Sequence, residues 1–568
     1  MANYNIKADK QVTYDAIVVG SGISGGWAAK ELTEKGLKTL VLERGRIVEH
    51  VKDYPTMNLD PWDMELRGGL TAEEMDKHYK SVRSGFVGKD AEHFHANDRE
   101  NPYTEAKPFL WIRSHVMGGR SLLWGKQTYR WSEIDFEANA KDGHGVDWPI
   151  RYRDIAPWYS YVEKYAGISG SKEGLKQLPD SEFLPPMEMN VVEKHVRDRI
   201  EKNHPGRRMI IGRCAHLTVP HNGRGSCQYR NRCSRGCPYG AYFSANAVTL
   251  PAANATGNLT IRPFSIAQEV IYDEQKGKAT GVRVIDAETS EVIDYKAKVI
   301  FLCASALSST QIMLNSKSGR FENGLGNDSG ELGHNLMDHT YRSGATGTVE
   351  GFDDRYYKGR RPNGIYIPRY YNIDEASKTD KFVRGFGFQG GAGRQGSREQ
   401  ANRPEFGAKF KDNLFTPGPW EFFITGFAES LPRHSNQVYL NNDVLDKWGQ
   451  PTLTIDAEWD ENALAMNVQA MEDAAEMLER AGLKNIVPFN NGHEMGYGIH
   501  EMGTARMGRD RKTSVLNGNN QVWGAENVYV TDGACMTSSA CVNPSLTYMA
   551  LTARAADHAV KALNRRDI

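Results

Sequence analysis

The first forty residues of the chain alternate between short apolar runs and one amphipathic stretch. Tyr14–Val19 is an apolar run of strand length, residues 27–36 have helical periodicity, and Thr39–Leu42 is a second apolar run. A strand, a helix and a strand in this order are typical of an α/β unit. The pattern therefore predicts that the chain begins with strand, turn, helix and strand.

The turn between the first strand and the helix has the GxGxxG pattern of dinucleotide-binding sites. In this pattern Gly20 permits the tight turn, Gly22 lets backbone N–H groups approach a pyrophosphate, and Gly25 lets the helix pack on the strand. Glu43 closes the second strand, where an acid accepts hydrogen bonds from ribose hydroxyls. FAD is favoured over NAD because the pattern opens the chain and the last segment resembles part of the same domain. The predicted cofactor-binding residues here are Gly20, Gly22, Ile23, Ser24, Gly25, Glu43 and Arg44.

Strand and helix patterns resume in distant parts of the chain. A second glycine-rich stretch begins at Gly118-Gly119 and suits a close backbone approach along a cofactor. Near the end, an apolar strand closes on the Asp532-Gly533 turn. These separated segments predict one discontinuous flavin domain. The expected strands are Leu259–Ala267, Glu269–Val270, Gly281–Ile285, Val299–Cys303 and Asn527–Thr531, and the expected helices lie within 303–314 and from 547 to about Leu563.

Composition narrows the class of protein. The 568 residues carry 70 Lys and Arg against 71 Asp and Glu, so a net charge of −1 offers no basic surplus for nucleic acid. Hydrophobic residues at 39% and charged residues at 25% fit a globular protein with a large core. No apolar run approaches the ~18 residues that cross a bilayer, so no membrane span is predicted. The first fifteen residues show no secretory signal, which favours the cytoplasm unless a signal-bearing partner exports the chain.

Three of the seven cysteines, Cys227, Cys233 and Cys237, crowd into one short segment that also holds four arginines. A disulfide is disfavoured because the cluster leaves one thiol over. An iron–sulfur cluster requires soft thiolates, and the terminal Cys-Pro pair is similar to ferredoxin-type runs. Zinc does not usually bind at this spacing. Iron–sulfur, zinc and structural thiols all remain open on residue chemistry alone. A fourth zinc ligand would be Cys214, His216 or His221.

Six segments in order along the chain resemble the glucose–methanol–choline (GMC) family of FAD oxidoreductases. They are GSGISGG at 20–26, GGRSLLWG at 118–125, CASALSSTQIML at 303–314, GHNLMDH at 333–339, HEMGTARMG at 500–508 and VYVTDGACMTSSACVNPSLTYMALTARAAD at 528–557.

The resemblance implies a fold of the α/β class (α+β overall), in which a discontinuous Rossmann-like FAD-binding domain carries an inserted antiparallel-sheet substrate domain. The FAD-binding domain is expected at 11–150, 206–330 and 495–568, with the iron–sulfur segment at 214–240. The substrate domain is expected at 151–205 and 331–494.

The resemblance also places Asp532 and Gly533 by the FAD pyrophosphate and Asn543–Thr547 along the flavin. Some family members carry a His in the second glycine stretch that bonds covalently to the flavin. Leu122 and Leu123 occupy that stretch here, so non-covalent FAD is expected. The further cofactor-binding residues are Gly118, Gly119, Ser121, Val270, Asp532, Gly533, Asn543, Pro544 and Thr547.

Oxidation of an alcohol needs a base for the hydroxyl proton and an acceptor for the carbon-bound hydride. The tetrapeptide His-Glu-Met-Gly occurs at His493 and His500, and only His500 continues into the family's context for the flavin-facing base. Asn543 stands where GMC members carry a partner Asn or His. The resemblance therefore implies that His500 takes the proton, that Asn543 donates a hydrogen bond to the same oxygen, and that hydride passes to flavin N5.

One branch of the family, the large subunits of bacterial sugar dehydrogenases, carries a [3Fe–4S] cluster on three cysteines with the spacing of Cys227, Cys233 and Cys237. Cys214 matches none of these ligands. A cluster implies a dehydrogenase whose electrons leave one at a time to an external cytochrome or quinone. Relatives in this branch usually pair with a small subunit that carries the export signal, which implies a periplasmic location.

The resembling branch includes gluconate, sorbitol, fructose and glucose dehydrogenases and glucoside 3-dehydrogenases. The expected reaction is oxidation of a secondary alcohol of a sugar or glycoside, with the 3-hydroxyl of a glucoside as first choice. The tract 355–366, rich in Tyr and Arg, suits stacking on sugar rings, although ordinary loop composition explains it nearly as well. Two alternatives stay open: a GMC-type oxidase that uses oxygen and has structural cysteines, and a non-enzymatic flavin electron-transfer subunit.

Overall fold

The computed structural model describes residues 3–355, 363–396 and 405–568. Residues 356–362 of the tract expected to stack on sugars lie outside this description. The strands are β1 (Thr13–Val19), β2 (Thr39–Leu42), β3 (Thr104–Glu105), β4 (Ile168–Ser169), β5 (Phe183–Leu184), β6 (Ile210–Ile211), β7 (Leu259–Arg262), β8 (Ser265–Asp273), β9 (Lys278–Asp286), β10 (Val292–Leu302), β11 (Thr340–Val349), β12 (Ile365–Ile367), β13 (Phe386–Arg394), β14 (Trp420–Ala428), β15 (Gln437–Leu445), β16 (Pro451–Asp456), β17 (Lys484–Asn490), β18 (Gln521–Val522) and β19 (Ala525–Val530).

The α-helices lie between the strands and at the C-terminal end. Within the described ranges, none of them is both long and apolar enough to cross a bilayer. They are α1 (Ile23–Glu34), α2 (Ala72–Lys77), α3 (Glu133–Asp142), α4 (Tyr152–Ala166), α5 (Val191–Asn203), α6 (Thr249–Ala255), α7 (Ala306–Asn315), α8 (Gly407–Phe415), α9 (Glu461–Arg480) and α10 (Ser545–Arg565).

The larger sheet has eight strands and is parallel at its centre. Its path runs β18-β19-β10-β1-β2-β7, and β9 extends it by pairing with both β10 and β8. β1 lies between β10 and β2, with Ala16 opposite Val299 on one side and Thr39 on the other. A central parallel strand is covered on both faces, which explains why β1 reads as a continuous apolar run.

The glycines of the first turn bring α1 close to β1. Gly20 has a φ of +91°, and a Cβ added to Gly25 would lie 1.9 Å from the carbonyl oxygen of Gly20. Only glycine therefore permits this approach of helix to strand. Trp27 of α1 is fully buried. The C-terminal helix α10 packs on α1, so both ends of the chain build the same helical layer.

The second sheet has six antiparallel strands in the order β17-β11-β14-β13-β12-β6. One face packs on α9 and α5, where Met466 and Ala470 share an apolar core with Phe388 and Ile424. The opposite face carries alternate residues, including Gln389 of β13, toward a large cavity between the two sheets. This sheet therefore forms one wall of the candidate site.

These observations confirm the expected fold, with a mixed α/β sheet and an antiparallel sheet. The predicted first and second strands agree with β1 and β2 to within one residue. The largest difference is β10, which begins at Val292, seven residues before the predicted start. Its first half alternates exposed and buried residues while it pairs with β9, so it contains no continuous apolar run.

The limits of the two domains remain a prediction, and two contacts show where the chain crosses between the sheets. β6, from the segment 206–330, pairs with β12 of the six-stranded sheet. α4, from the segment 151–205, packs on α10. Lys30 of α1 also lies 4.2 Å from the ring centre of Tyr165 in α4. Each of these segments therefore contacts the unit to which the sequence did not assign it.

Candidate functional site

One cavity of about 720 Å³ lies between the two sheets. This volume is within the range of cofactor and ligand pockets. The GxGxxG turn forms one part of its wall, and the predicted catalytic pair forms another. The predicted residues that line it are Gly20, Gly22, Ile23, Ser24, Glu43, Arg44, Gly119, Ser121, His500, Asp532, Gly533 and Asn543.

The turn before α1 is shaped to receive an extended polar group. Gly22 faces the cavity, and a Cβ added there would meet only the Gly118 carbonyl oxygen, at 3.9 Å. Glu43 accepts hydrogen bonds from the backbone N–H groups of Ser21 at 3.2 Å and Gly45 at 2.9 Å. Burial raises the pKa of Glu43 above its ordinary value. The turn and the acid after β2 thus occupy adjacent parts of one wall, as the spacing predicts.

The guanidinium group of Arg44 is held at the same wall by two acceptors. Its Nη2 donates to Asn101 Oδ1 at 2.8 Å and to Asp446 Oδ2 at 3.2 Å. Its Nε is buried and has no protein acceptor. A buried donor without an acceptor is the kind of group that a bound cofactor satisfies. Trp448 lies 5.1 Å from this guanidinium, so an aromatic face is also present.

Five predicted cofactor-binding residues do not line the cavity. Gly25 packs the helix on the strand, and Gly118 shapes the second glycine turn, where a Cβ would overlap Asn246. Pro544 precedes α10 without reaching the cavity, whereas its neighbours Ser545 and Tyr548 do line it. The hydroxyl of Thr547 bonds to that of Tyr159 at 2.7 Å.

Val270, the last of these five residues, is buried and does not line the cavity. Its backbone N–H donates at 2.8 Å to Ser316 Oγ, directly after α7. Ser265 and Ala267 of the same strand line the cavity instead. The pairing of β8 is irregular between Ala267 and Glu269, so Ala267 and Val270 lie on the same face of the sheet, and the strand face alone does not distinguish them.

The predicted catalytic pair lies together at the end of the cavity that faces the six-stranded sheet. His500 Nε2 lies 3.4 Å from Asn543 Nδ2. The Asn543 Oδ1 atom accepts a hydrogen bond from Gln389 Nε2 at 2.6 Å. Both predicted residues therefore line one cavity within hydrogen-bonding distance of each other, although 43 positions separate them in the chain.

Asp338 fixes the backbone that carries His500. Its carboxylate accepts hydrogen bonds from the N–H groups of Gly496 at 2.8 Å, Gly498 at 3.0 Å and His500 at 2.9 Å. Burial first, and then the charge of Glu501, raise the pKa of Asp338 to about 7. Three bonds to one buried carboxyl group hold the loop before His500 in a single conformation.

His339 contacts the other side of the His500 ring and was not assigned a role by the sequence. The Nδ1 atoms of the two rings are 2.8 Å apart. Burial lowers the pKa of His339 to about 4. Burial also lowers the pKa of His500 well below its ordinary value, and His339 and Arg120 lower it further. The GHNLMDH segment at 333–339 was part of the family resemblance, and that resemblance was the available signal for Asp338 and His339.

Aromatic rings cover the wall beside His500. Tyr341 stacks on Tyr497 with ring centres 5.8 Å apart and contacts Phe427 at 4.7 Å. Phe86, which is partly exposed, contacts Tyr497 at 5.4 Å. These rings line the cavity together with the polar side chain of Gln389. The wall thus offers apolar faces and a few hydrogen-bonding groups, an arrangement suited to a sugar ring or another polyol.

A buried ion pair also faces the cavity and was missed from the sequence. The guanidinium of Arg120 donates to both carboxylate oxygens of Glu501, at 3.1 and 2.8 Å. Glu501 is nearly inaccessible to solvent. Arg120 and Glu501 thus neutralise each other beside His500. Because 381 positions separate the two residues, no local sequence pattern indicates this pair.

The cysteine segment (residues 224–240) lies beside the large cavity. Cys227, Cys233 and Cys237 line a second, much smaller cavity of about 30 Å³. In the described part of the chain, no three His, Cys, Asp or Glu side chains converge closely enough to bind a single metal ion. None of the seven cysteines, all of which lie in the described ranges, forms a disulfide. The structure therefore brings the three predicted ligands to one cavity without showing a metal site.

The surroundings of these thiols suit soft, anionic ligands in part. The backbone N–H of Tyr229 donates to Cys227 Sγ at 3.4 Å, and His216 Nε2 lies 3.6 Å from Cys233 Sγ. Lys126 Nζ donates to the Cys233 carbonyl oxygen at 2.8 Å. Burial lowers the pKa of Lys126 to about 8. The donor chemistry fits a cluster, whereas a cavity of this size holds little more than a water molecule.

The arginines of the cysteine segment serve as tethers. Arg235 donates to Asp90 Oδ2 at 3.0 Å and to the Leu59 carbonyl oxygen at 2.8 Å. Arg230 donates to the Met57 carbonyl oxygen at 2.6 Å. These bonds connect Arg230 and Arg235 to the neighbouring segment 57–90.

The two cavities are lined by adjacent parts of the chain. Lys126, which bonds to the backbone of Cys233, lines the large cavity, and so does Ser234. The cysteine segment is therefore the immediate neighbour of the large cavity, with one short strip of chain between them.

Comparison with known proteins gives the same family at both ends of the chain. Residues 14–341 and 432–552 match two family models, each described as GMC oxidoreductase. The 2-methyl-1,2-propanediol dehydrogenase of Mycolicibacterium austroafricanum is 27% identical over 96% of this chain and 94% of that protein. The fructose dehydrogenase large subunit of Gluconobacter japonicus is 22% identical over 97% and 98%.

A solved structure of an Aspergillus oryzae formate oxidase variant, which addresses FAD modification, superimposes on this chain with a TM-score of 0.61. The two chains are 14% identical, and the match covers 98% of this chain and 100% of the other. A likeness at this identity establishes the fold.

Proposed function

This chain belongs to the GMC oxidoreductase family and is an FAD-dependent oxidoreductase acting on CH–OH groups of alcohols or sugars, and we propose that it is a dehydrogenase for a secondary alcohol of a sugar or glycoside. The observation that carries the proposal is the single cavity that joins the GxGxxG turn to His500 and Asn543. A nucleotide-binding turn and a base at opposite parts of one cavity are what a flavin alcohol oxidiser requires.

The cavity fits FAD in its residues as well as in its volume. The open face of Gly22, the acid Glu43 and the unsatisfied Nε of Arg44 suit the nucleotide part of the cofactor. Bound FAD supplies the acceptor for the hydride that leaves the alcohol carbon. Leu122 is buried against Val48 and carries no nucleophile, which supports non-covalent binding.

His500 is the group that takes the hydroxyl proton. Burial keeps its ring neutral, and neutral imidazole has the lone pair that a base needs. Asn543 Nδ2 points toward the same region and donates a hydrogen bond to the substrate oxygen as negative charge develops there. Arg120 and Glu501 neutralise each other, so the base works beside a paired rather than a free charge.

A neutral sugar or glycoside is the proposed substrate class, with the 3-hydroxyl of a glucoside as the proposed position. The aromatic wall of Tyr341, Tyr497 and Phe427 supports stacking on a sugar ring. Gln389 supports hydrogen bonding to a hydroxyl. Two of the relatives are named for neutral polyhydroxy substrates: one is a diol dehydrogenase and the other a fructose dehydrogenase subunit.

Cys227, Cys233 and Cys237 are the proposed ligands of an iron–sulfur cluster of the [3Fe–4S] type. Such a cluster would supply a one-electron carrier beside the flavin cavity. Support comes from the three thiols that line one small cavity. Further support comes from Ser234, which follows Cys233 and lines the large cavity, and from Lys126, which lines the large cavity and bonds to the Cys233 carbonyl oxygen.

The proposed partners are a small subunit and an external cytochrome or quinone acceptor. The relative named as a large subunit supports a multi-subunit assembly. A small subunit with an export signal would carry this chain to the periplasm, which is the proposed location.

Anaerobic bleaching of the flavin absorbance by a sugar panel, combined with iron analysis, tests the proposal. We expect a glucoside to bleach the flavin, its 3-deoxy analogue to leave it oxidised, and iron to copurify in the proportion of a three-iron cluster. Hydrogen peroxide formed at the rate of sugar consumption by an iron-free protein would instead identify an oxidase with structural thiols. Flavin that no alcohol bleaches would indicate an electron-transfer subunit.

A further inference from the structure

His339 does not line the large cavity, yet it makes three polar contacts with its two ring nitrogens. Its Nε2 lies 2.8 Å from the Ala540 carbonyl oxygen and 3.1 Å from that of Ser539. Its Nδ1 lies 2.8 Å from His500 Nδ1. Since a carbonyl oxygen only accepts hydrogen bonds, the proton of the neutral His339 ring must be on Nε2.

This arrangement determines where the proton of His500 sits. With its proton on Nε2, the neutral His339 ring presents a lone pair at Nδ1. His500 Nδ1 must therefore carry the hydrogen that fills the 2.8 Å contact. The remaining lone pair of His500 is then on Nε2, the nitrogen that faces Asn543 in the cavity.

The hydrogen bonds at the Gln389 end of the network run in the same direction. Gln389 Nε2 donates to Asn543 Oδ1 at 2.6 Å, which leaves the Asn543 amide nitrogen toward His500 Nε2. Hydrogen bonds thus run one way, from Gln389 through Asn543, His500 and His339 to the carbonyl groups at 539–540. Reversing any member would place two donors or two lone pairs against each other.

The backbone is held in an unusual conformation at two points along this chain of bonds. Ala540, whose carbonyl accepts from His339, has a φ of +52°, and Ile499, which precedes His500, has a φ of +61°. Neither is glycine, so the surrounding structure imposes these left-handed conformations. Such positions are typical of sites whose geometry serves a function.

We propose that His339 and Gln389 are positioning residues that fix the lone pair of His500 on Nε2 and direct the amide of Asn543 toward the substrate oxygen. The inference rests on the proposed function of His500 as the base. The acceptor nitrogen of His339 keeps the reactive tautomer of His500, and it continues to accept the Nδ1 hydrogen when His500 becomes protonated. His339 itself touches neither substrate nor cofactor in this scheme.

The pair of variants His339→Asn and His339→Gln separates this role from mere packing. The Asn amide occupies the position of Nδ1 and offers an oxygen to His500, whereas the Gln amide reaches the position of Nε2 and offers nothing at Nδ1. We expect His339→Gln to lower the rate constant of anaerobic flavin bleaching on the order of 10²-fold with a nearly unchanged substrate dissociation constant, because an orienting partner of a catalytic His contributes up to ~10⁴-fold. His339→Asn should recover most of that loss.

A second readout distinguishes the tautomer from a general loss of structure. Slower proton removal should raise the solvent deuterium isotope effect on bleaching in His339→Gln but not in His339→Asn. Gln389→Leu should lower the same rate constant by about tenfold, the lower part of the range for a catalytic hydrogen-bonding group. His334→Gln is the matched control, because His334 belongs to the same 333–339 segment and bonds to the His434 carbonyl outside the cavity.

Equal rates and isotope effects in His339→Asn and His339→Gln would overturn the inference, whether both are fast or both are slow. A normal bleaching rate in His500→Ala would remove the proposed base itself. Slow bleaching in His500→Ala with unaffected His339 variants would remove only the positioning role.

Discussion

The region around His500 and the cysteine segment are neighbours in the structure, but they are held by different kinds of contact. His500 is fixed by hydrogen bonds with Asp338, His339 and Asn543, of which Asp338 and His339 are fully buried. The cysteine segment is partly exposed and is held by ion pairs such as Arg235–Asp90 at 3.0 Å. Two of its residues, Tyr229 and Asn231, have positive φ angles between the first two thiols.

The difference shows which functions this chain prepares by its own contacts. The base must be aligned before a substrate arrives, and burial with full hydrogen bonding achieves this alignment. Thiol ligands obtain their final order from the metal they bind, because metal binding and local folding are coupled. The complete hydrogen-bond network around His500 is consistent with alignment before the substrate binds. The small cavity lined by three thiols is consistent with ligands that a metal would order.

The largest expected effect comes from removing the base. His500→Ala should lower the rate constant of anaerobic flavin bleaching by ~10²- to 10⁴-fold, the usual contribution of a positioned general base. The flavin content should stay normal, because His500 lies at the opposite part of the cavity from the nucleotide-binding turn. Stopped-flow absorbance measures the rate, and His493→Ala, in the duplicate His-Glu-Met-Gly tetrapeptide, is the matched control. A similar loss in both variants would contradict the assignment.

A smaller and differently distributed effect is expected in the cysteine segment. Cys233→Ser should abolish iron binding and electron delivery to an external one-electron acceptor, while the sugar still bleaches the flavin at nearly the normal rate. Cys214→Ser is the matched control, because Cys214 is buried against Ser169 and is not one of the three thiols on the small cavity. Iron analysis and acceptor reduction assays separate the two half-reactions. Bleaching that is lost together with the iron would show that the two regions do not act independently.

The smallest effect concerns pH and applies to the base alone. Burial, together with His339 and Arg120, lowers the pKa of His500 well below its ordinary value, and the neutral form is the active one. An imidazole with the ordinary pKa of about 6.5 would be half protonated at pH 6.5. We therefore expect the bleaching rate constant to stay near its maximum at pH 6.5 and to fall only at lower pH. The groups that face the ring are His339, Arg120, Asp338 and Glu501. A half-maximal rate at pH 6.5 in stopped-flow measurements would show that burial does not depress this pKa.

Much of the fold could be predicted from local sequence patterns, whereas some of the residues around His500 could not. The apolar run Tyr14–Val19 and the glycines after it predict a strand, turn and helix because their chemistry acts between near neighbours in sequence. His339 and His500 are 161 positions apart, and Gln389 and Asn543 are 154 apart. The sequence around each of these four residues does not indicate its partner, because the contacts exist only after both sheets have formed.

The position of Val270 is a similar case on a smaller scale. The pairing of β8 is irregular between Ala267 and Glu269, so Ala267 and Val270 lie on one face of the sheet, yet only Ala267 lines the cavity. Alternation along a strand predicts a face only as long as the register is regular. The three proposed metal ligands are the opposite case, because their close spacing along the chain brings the three thiols to one cavity.

The contact between Lys126 and the cysteine segment has a thermodynamic consequence. Lys126 lines the large cavity and bonds to the backbone of Cys233, so a ligand that restricts its motion acts on both regions. Coupling of this kind is reciprocal: the free energy by which one occupied site affects the other is the same in both directions. The factor by which bound flavin changes the affinity for the proposed cluster should therefore equal the factor by which the cluster changes the affinity for flavin.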